Sequence, residues 1–358
     1  MRKCLLCACI LAGAVQPRSA MAGTGVKADF YGFIKTDFIY SDHGTTTNEY
    51  RAYAASGGQD RAFRASARGT RIGVNLSSGT AVNGKIEADF LGLTDSVGGS
   101  AGLATDLRLR HAYVTVKAGK TEFLAGQTYY PITPDIPETL NDYYLANSGD
   151  LYYRAPQLRV TYSPGWNLKL IGAVVRPTSK LTDAEGTHSA LPGVQGKIEK
   201  TIGTARISLA GAAGVWKSTA TQQTADISAV AAAFNIPFPP FTLSGEAWTG
   251  RNLYDFQGGL TNVGYGGKAV AASGGYLALK FKPRDDLWFD LIYGVDDPSN
   301  LNIAEKGKTR NSTALVNAIV RVYGCVETGL EISELATDYK GEADRASMNY
   351  QLTVKLLF

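Results

Sequence analysis

Arginine is the residue type in this sequence whose distribution suggests chemistry. Ten arginines lie between positions 51 and 176, whereas six lie between positions 206 and 345. A guanidinium group is planar, stays charged and can bind a carboxylate through two parallel hydrogen bonds. A cluster of arginines on one surface would therefore attract and hold anions, provided that the fold brings these side chains together.

The sequence offers few groups for catalysis or metal binding. Its three histidines are widely separated, and Cys325 is the one cysteine that follows position 9. The H-E-x-x-H pattern of zinc hydrolases is absent. His111 follows Arg110 and falls in the outward phase of a predicted strand. We therefore predict that the protein is not an enzyme and has no catalytic residues, no metal site and no cofactor.

The first residues indicate export. A basic start is followed by the short apolar run CLLCACILAGAV, and Ser19-Ala-Met-Ala22 supplies a small-residue cleavage site. This pattern predicts a signal peptide over residues 1–22 and a mature domain over residues 23–358. Without the leader, the 36 basic residues of the chain fall to 33, against 32 acidic ones. A nearly neutral mature chain gives no indication of a nucleic-acid partner.

The mature chain consists of short strand-like segments separated by Gly, Pro, Asn, Asp and Ser. Its last residues, YQLTVKLLF, alternate strictly between apolar and polar side chains, which is the period of a strand with two different faces. Sixteen strands are predicted, at approximately 28–41, 66–76, 82–93, 105–117, 120–128, 156–163, 166–176, 190–200, 204–217, 225–236, 241–252, 274–282, 286–295, 312–322, 325–339 and 346–358.

The connections between these segments alternate in length. Seven are short turns, such as AGK and PFPP, and eight are longer and more polar. This alternation is typical of outer-membrane barrels with short periplasmic turns and long extracellular loops, whereas a soluble β-sandwich has no reason to sort its connections in this way. The predicted fold class is an all-β, transmembrane antiparallel β-barrel of 16 strands in the bacterial outer membrane. The last strand must pair with the first to close it.

The arginines can be placed on this barrel. Barrels of 16 strands leave an aqueous channel, and a basic residue facing lipid at mid-depth would cost about 2–4 kcal/mol. Basic residues on the predicted strands occupy the phase opposite to the apolar residues, so we expect them to face the lumen. The candidate pore-lining, anion-binding residues are Arg68, Arg71, Arg108, Arg110, Arg159, Lys169 and Arg206.

One long connection, over residues 129–155, is too long for a simple turn. Its prolines stiffen it and its tyrosines provide packing surface, so we predict that it folds inward as a constriction loop. It could instead cap the mouth of the barrel or contact a neighbouring subunit. Its acidic residues are Asp135, Glu138, Asp142 and Asp150.

Several segments follow one another in an order that resembles a known family. They are YGFIKTDFIY, RGTRIGV, GKIEADFLG, LRLRHAYVTV, EFLAGQTYYPITP and LYYRAPQLRVTY, and they lie within residues 28–163. With the C-terminal strand, this series resembles the DcaP-like porins of Gram-negative bacteria, within the general trimeric porin superfamily. The resemblance implies a 16-stranded homotrimer that takes up small organic anions, dicarboxylates among them.

These observations predict a water-filled channel for passive diffusion of small hydrophilic solutes, with a preference for organic anions such as dicarboxylates. The expected partners are small anionic or polar solutes, outer-membrane lipid and, through the terminal Phe358, the machinery that assembles outer-membrane barrels. No nucleic-acid partner is expected.

Two alternatives stay open. Carboxylates on the loop and on the strands could neutralise the arginines and give a non-selective general porin. A barrel with a closed lumen could instead serve a structural or surface-recognition role, although small residues at inward positions, such as Gly73, Ser208 and Gly329, favour an open lumen.

Overall fold

The computed structural model describes residues 25–46, 51–57, 61–92, 106–176, 191–217, 224–262 and 268–358, so that the predicted signal peptide lies outside the described residues. Within these ranges no helix is long and apolar enough to cross a membrane.

The 3-10 helices that the structure describes are Leu253–Phe256, Gly259–Thr261 and Asn300–Asn302. The strands are β1 Lys27–Ser41, β2 Ala62–Ser66, β3 Arg71–Ser78, β4 Val82–Asp89, β5 Arg108–Ala118, β6 Thr121–Tyr129, β7 Arg154–Gly165, β8 Leu168–Val175, β9 Gly193–Ile202, β10 Ala205–Lys217, β11 Thr224–Phe238, β12 Phe241–Arg251, β13 Ala271–Arg284, β14 Leu287–Pro298, β15 Lys308–Val322, β16 Val326–Tyr339 and β17 Arg345–Leu357.

These strands form one closed antiparallel sheet in which consecutive strands are neighbours. Strand β2 pairs with the last five residues of β1, and β3 pairs with the first seven. Strands β2 and β3 are therefore two parts of one barrel strand, and the barrel has 16 strands. Closure leaves no open sheet edge, as hydrocarbon surroundings require. The predicted fold class is confirmed.

The C-terminal strand closes the ring. Strand β17 pairs with β1, and the backbone groups of Gly32 and Phe358 exchange hydrogen bonds of 2.9 and 3.1 Å. Along β17, Tyr350 and Leu352 are exposed on the outer wall, whereas Gln351 and Thr353 are buried inside. The strict alternation at the end of the sequence therefore separates a lipid-type face from a polar inner face.

The outer wall is apolar around the ring. Leu158, Leu291 and Leu330, on three well-separated strands, are each about three-fifths exposed. At the short-turn end, phenylalanine rings of β11 to β14 stack in a row with centroid separations of 5.7, 4.9 and 6.1 Å. An apolar belt bordered by aromatic residues is the outer surface of a membrane barrel, which agrees with the predicted location in the bacterial outer membrane.

The predicted strand at 66–76 differs from the structure, because a bend at residues 67–70 divides it into β2 and β3. The bend makes room for chain inside the barrel. A Cβ at Gly69 would lie 2.5 Å from a carboxylate oxygen of Asp142 and 3.0 Å from Cδ of Lys35. Continuing the regular strand with a larger residue would therefore displace the segment that carries Asp142.

Candidate functional site: an arginine wall opposite an inserted loop

Inward-facing cations are concentrated on the adjacent strands β3 to β7, here called the arginine wall. Alternation directs most of them inward, because their sequence neighbours Ile72, Ile86, Leu109 and Leu158 are exposed outside, whereas Arg154, the first residue of β7, is placed by its contact with Tyr129. The cations of the arginine wall are Arg71, Lys85, Arg108, Arg110, Arg154 and Arg159.

A β-bulge adds one residue to this wall. Opposite β4, Leu109 pairs with Ala88 and His111 pairs with Glu87, so that Arg110 has no partner in the register. A bulge shifts the alternation by one residue, and both Arg110 and His111 point inward, with exposures of 3% and 7%. The predicted outward position of His111 is therefore wrong. Its Nδ1 lies 2.9 Å from the hydroxyl of Thr128.

Two carboxylates on β4 are shared by four cations. Arg108 donates two hydrogen bonds to Asp89, of 2.9 and 2.6 Å. Arg110 lies between the two acids, 2.7 Å from Glu87 and 2.9 Å from Asp89. Two further cations, Arg71 and Lys85, each lie 3.6 Å from Glu87. This part of the wall therefore keeps an excess of positive charge.

The other two arginines of the wall form no ion pair in the described structure, although Glu122 on β6 interacts electrostatically with Arg159. Arg154 donates a hydrogen bond of 3.0 Å to the hydroxyl of Tyr129 and lies over the same ring, 5.0 Å from its centroid. Arg159 donates to Gln157 at 2.7 Å and to the backbone carbonyl of Tyr129. Neutral acceptors orient these guanidinium groups without cancelling their charge.

The connection between β6 and β7 crosses the interior and lies against the opposite side. Residues 130–153 are called the inserted loop, and the inward faces of β12 to β17 together with β1 are called the seat wall. Leu151 donates its N–H to Glu246 at 3.0 Å, and Leu140 donates its N–H to Glu331 at 2.7 Å. The indole of Trp248 donates to the carbonyl of Gly149 at 2.8 Å.

Small residues on the seat wall make space for the loop. Leu140 lies 3.1 Å from the position that a Cβ would take at Gly329, and a Cβ at Gly294 would collide with the carbonyl of Ser148. Contrary to expectation, the space at Gly329 is therefore filled by the loop rather than left open. Glycine allows the backbone of the loop to approach the strands closely.

The acidic residues of the inserted loop pair with cations outside the arginine wall. Asp135 forms an ion pair with Arg206 on β10, and Glu138 forms one with Lys280 on β13. Asp142 lies 2.6 Å from Lys35 on β1. In the described structure none of these acids lies within ion-pair distance of the arginine wall, so they do not neutralise it directly.

Asp150 differs from the other loop acids because neither of its carboxylate oxygens has a hydrogen-bond donor. The side chain is buried beside Glu246, whose Oε1 also has no donor. Burial raises the pKa of Asp150 to about 8. The carboxyl group is therefore mostly protonated at neutral pH, which avoids an unpaired charge in the interior.

Three predicted pore residues lie apart from the wall. Arg68 is in the bend before β3 and donates to the carbonyls of Phe90 and Gly92, at 3.2 and 2.8 Å. Lys169 lies near the short-turn end and pairs with Glu199 at 3.0 Å. Arg206 pairs with the inserted loop, as described above. The structure thus groups Arg71, Arg108, Arg110 and Arg159, and separates Arg68, Lys169 and Arg206 from them.

Two further inserted segments were not predicted. Residues 52–55 of the first long connection are buried, and Arg51 forms a buried ion pair with Glu331 at 2.7 Å. Residues 252–260 lie behind the inserted loop, where Asp296 accepts the N–H groups of Gly259 and Leu260. The run Ala-Tyr-Ala-Ala at 52–55 is the available signal, because such a run is unusual in a solvated loop.

Between the inserted loop and β1, β3 and β17 lies a cavity of about 320 Å³. Arg71 and Lys355 line it on the strand side, and Ile136 and Pro137 line it on the loop side. The cavity connects the edge of the arginine wall to the loop, and its lining combines charged and apolar groups.

Comparison with solved structures shows which proteins share the fold of this 16-stranded barrel. The outer-membrane channel DcaP of Acinetobacter baumannii aligns with a TM-score of 0.79 and 22% identity, over 93% of this chain and 98% of that chain. An anion-selective porin from Comamonas acidovorans aligns with a TM-score of 0.65 and 12% identity, over 93% of this chain and 100% of that one.

The trimer form of OmpT, an outer-membrane protein of Vibrio cholerae, aligns with a TM-score of 0.55 and 12% identity, over 93% of this chain and 99% of that chain. This chain therefore has the fold of these outer-membrane proteins, and at the level of fold the resemblance to the DcaP-like porins is confirmed. No protein-family model matches the sequence, and no curated protein sequence matches it.

Proposed function

We propose that this protein is an outer-membrane channel for passive diffusion of small hydrophilic solutes, with a preference for organic anions such as dicarboxylates. The observation that carries the proposal is the uncompensated charge of the arginine wall. Four of its cations share Glu87 and Asp89, and Arg154 and Arg159 form no ion pair in the described structure, so that six cations face Glu87, Asp89 and the more distant Glu122. The inserted loop places its acids on the other side and presents neutral tyrosines, such as Tyr144, to this wall.

The physical mechanism is electrostatic attraction followed by weak, repeated binding. A surface of one charge sign between low-dielectric walls focuses the field and raises the local concentration of the opposite ion. Guanidinium groups bind carboxylates with good geometry. Conduction also requires that each site release its ligand, and several shared, partly compensated cations favour such release. The proposal includes no covalent step and no cofactor.

A second candidate function, a general porin with little selectivity, is favoured by the ion pairs of Arg108 and Arg110. Pairing with Asp89 and Glu87 lowers the field that these two arginines project into the lumen. The residual charge of the wall then depends mainly on Arg71, Arg154 and Arg159, and selectivity would be modest if solvent screening dominated there.

We also propose that the protein assembles as a homotrimer, on the model of the OmpT structure in trimer form. The terminal Phe358 is exposed at the short-turn end, where the assembly machinery for outer-membrane barrels could bind it. Chemical crosslinking of the purified protein in detergent tests the trimer, since a protein that stays monomeric at a saturating crosslinker concentration would contradict it. Deletion of Phe358 should lower the amount of protein that reaches the membrane.

The proposed transport is tested by the reversal potential of the purified protein in a planar lipid bilayer under a KCl gradient. We expect a potential on the chloride side, and we expect dicarboxylates to carry measurable current when they replace chloride. A potential on the potassium side would contradict the anion preference. A barrel that inserts but does not conduct would contradict the channel and favour a structural role.

A further inference from the structure

The cavity between the inserted loop and strands β1, β3 and β17 has a charged side and an apolar side. Phe33 lies at the centre of the charged side and pairs directly with Arg71 in the sheet register. The guanidinium carbon of Arg71 lies 5.1 Å from the ring centroid of Phe33, and the ammonium nitrogen of Lys355 lies 5.3 Å from it. Two cations are therefore held on either side of one aromatic ring.

One hydrogen-bond donor of Arg71 is unused, although Tyr144 of the inserted loop, which also lines the cavity, engages its guanidinium group. Its Nε is buried and has no hydrogen-bond acceptor, because Glu87 is 3.6 Å away and is engaged by Arg110 and by Tyr31 at 2.7 Å each. A buried donor without an acceptor is uncommon and calls for an explanation. An anionic group in the cavity would supply the missing acceptor.

The opposite side of the cavity does not suit a second negative charge. Ile136 and Pro137 of the loop and Ile319 of β15 form apolar surface there. The two acids that also line the cavity, Glu138 and Asp142, are already paired with Lys280 and Lys35. A second carboxylate on a bound solute would thus meet apolar surface or like charge, and both cost free energy.

We propose that this cavity is a binding subsite for organic anions that have one charged end and an apolar body, and that it binds them more tightly than dicarboxylates of the same length. This inference rests on the proposed channel function. The carboxylate of such a solute accepts hydrogen bonds from Arg71 beside Phe33, and its hydrocarbon part contacts Ile136, Pro137 and Ile319. Dicarboxylates pass along the arginine wall without being retained in the subsite.

Current block in planar bilayers tests this inference with matched probes. Hexanoate and adipate have the same carbon chain and differ by one carboxylate, and acetate carries the charge without the apolar body. We expect hexanoate to reduce the KCl current at a lower concentration than either adipate or acetate. Arg71→Gln should weaken the hexanoate block by about tenfold, the effect of losing one charge-assisted hydrogen bond.

Two further variants separate the two sides of the subsite. Ile136→Ser should weaken the block by hexanoate and leave the weak block by acetate unchanged, since it alters only the apolar side. Arg284→Gln serves as the matched control, because Arg284 is the last residue of β13, beside a short turn, and pairs with Asp286; its hexanoate block should equal that of the unchanged protein.

The outcomes distinguish the subsite from the channel function. The subsite would be overturned if hexanoate and adipate blocked the current equally. It would also be overturned if Arg71→Gln and Ile136→Ser left the hexanoate block unchanged. In either case a chloride-side reversal potential would still support an anion channel. A potassium-side potential would contradict the anion preference itself. Folding of each variant is checked by its single-channel conductance in KCl, and a conducting Ile136→Ser channel keeps the test decisive even if Arg71→Gln fails to insert.

Discussion

The arginine wall and the seat wall both carry buried charges, but they satisfy them differently. On the seat wall, Glu331, Glu246 and Asp296 accept backbone N–H groups from inserted segments. On the arginine wall, the inserted loop contributes Tyr144 near Arg71 and Arg110 but no paired carboxylate, and the cations share the carboxylates of β4 and several neutral acceptors. The comparison shows that the groups which meet a charge decide its role. Carboxylates that accept N–H groups of the loop hold the loop, whereas arginines that meet mostly neutral loop groups keep an excess of positive charge on their wall.

The largest effect on stability should come from removing the contacts of the seat wall at Glu331. Glu331→Ala removes the acceptor of Leu140 and leaves Arg51 buried without its carboxylate. Removing one partner of a buried ion pair costs about 3–5 kcal/mol, so the variant should unfold at lower denaturant concentration in detergent. The inserted loop should also become less ordered, which raises the channel conductance.

Glu331→Gln is the matched control, because the amide keeps one acceptor oxygen for the loop. It should destabilise the protein less than Glu331→Ala. If both variants unfolded at the denaturant concentration of the unchanged protein, the seat wall would not hold the inserted loop as described.

An intermediate effect should follow from pH, through Asp150. Burial raises the pKa of this carboxyl group to about 8, whereas an exposed aspartate has a pKa of about 4. When the loop is seated, Asp150 holds a proton that it would lose if the loop were released. The stabilisation of the seated loop by this group is therefore complete below about pH 4 and is lost as the pH rises to about 8. The binding of the inserted loop to the seat wall should therefore weaken with increasing pH over this range.

Conductance at about pH 5 and about pH 9 measures this weakening. We expect larger and noisier currents at the higher pH in the unchanged protein, and a smaller difference in Asp150→Asn, whose side chain cannot ionise. The same pH response in both proteins would assign the titration to another group.

The smallest effect should come from the ion pair between Arg206 and Asp135, whose side chains are both 41% exposed. Exposed pairs contribute about 0–1 kcal/mol, so Arg206→Ala and Asp135→Asn should each change stability little. A double-mutant cycle in detergent measures their coupling. A coupling energy as large as the effect of Glu331→Ala would show that this contact, rather than the seat wall, holds the loop.

Much of the fold follows from the sequence because two simple patterns determine it. Alternation of apolar and polar residues fixes which side chains face outward, and alternation of short and long connections fixes the antiparallel order. The departures have local causes. The bend at 67–70 depends on contact with Asp142, and the bulge at Arg110 depends on pairing between β4 and β5. The bend leaves no periodic signal in the sequence, whereas the bulge leaves one, because the exposed apolar positions change from odd (Leu109) to even (Val114) numbers across Arg110.

The site is predictable to a lesser degree. The inward phase of Arg71, Arg108, Arg110 and Arg159 follows from alternation, but the partners of these arginines do not. Pairing with Glu87 and Asp89 depends on neighbouring strands at a particular register. Contacts between distant parts of the chain determine the inward folding of residues 51–55. They also determine that Arg51 and Leu140 both bind Glu331. Such contacts leave no trace in residue spacing.

The most direct test of the central claim compares two double variants that remove equal charge from the two walls. Arg154→Gln with Arg159→Gln removes cations that form no ion pair in the described structure, and Lys280→Gln with Arg321→Gln removes cations that are paired with Glu138 and Glu327. Reversal potentials are measured under the same KCl gradient. We expect the first double variant to lose most of its chloride preference and the second to lose little. Equal losses, or a greater loss in the second, would contradict the assignment of selectivity to the arginine wall.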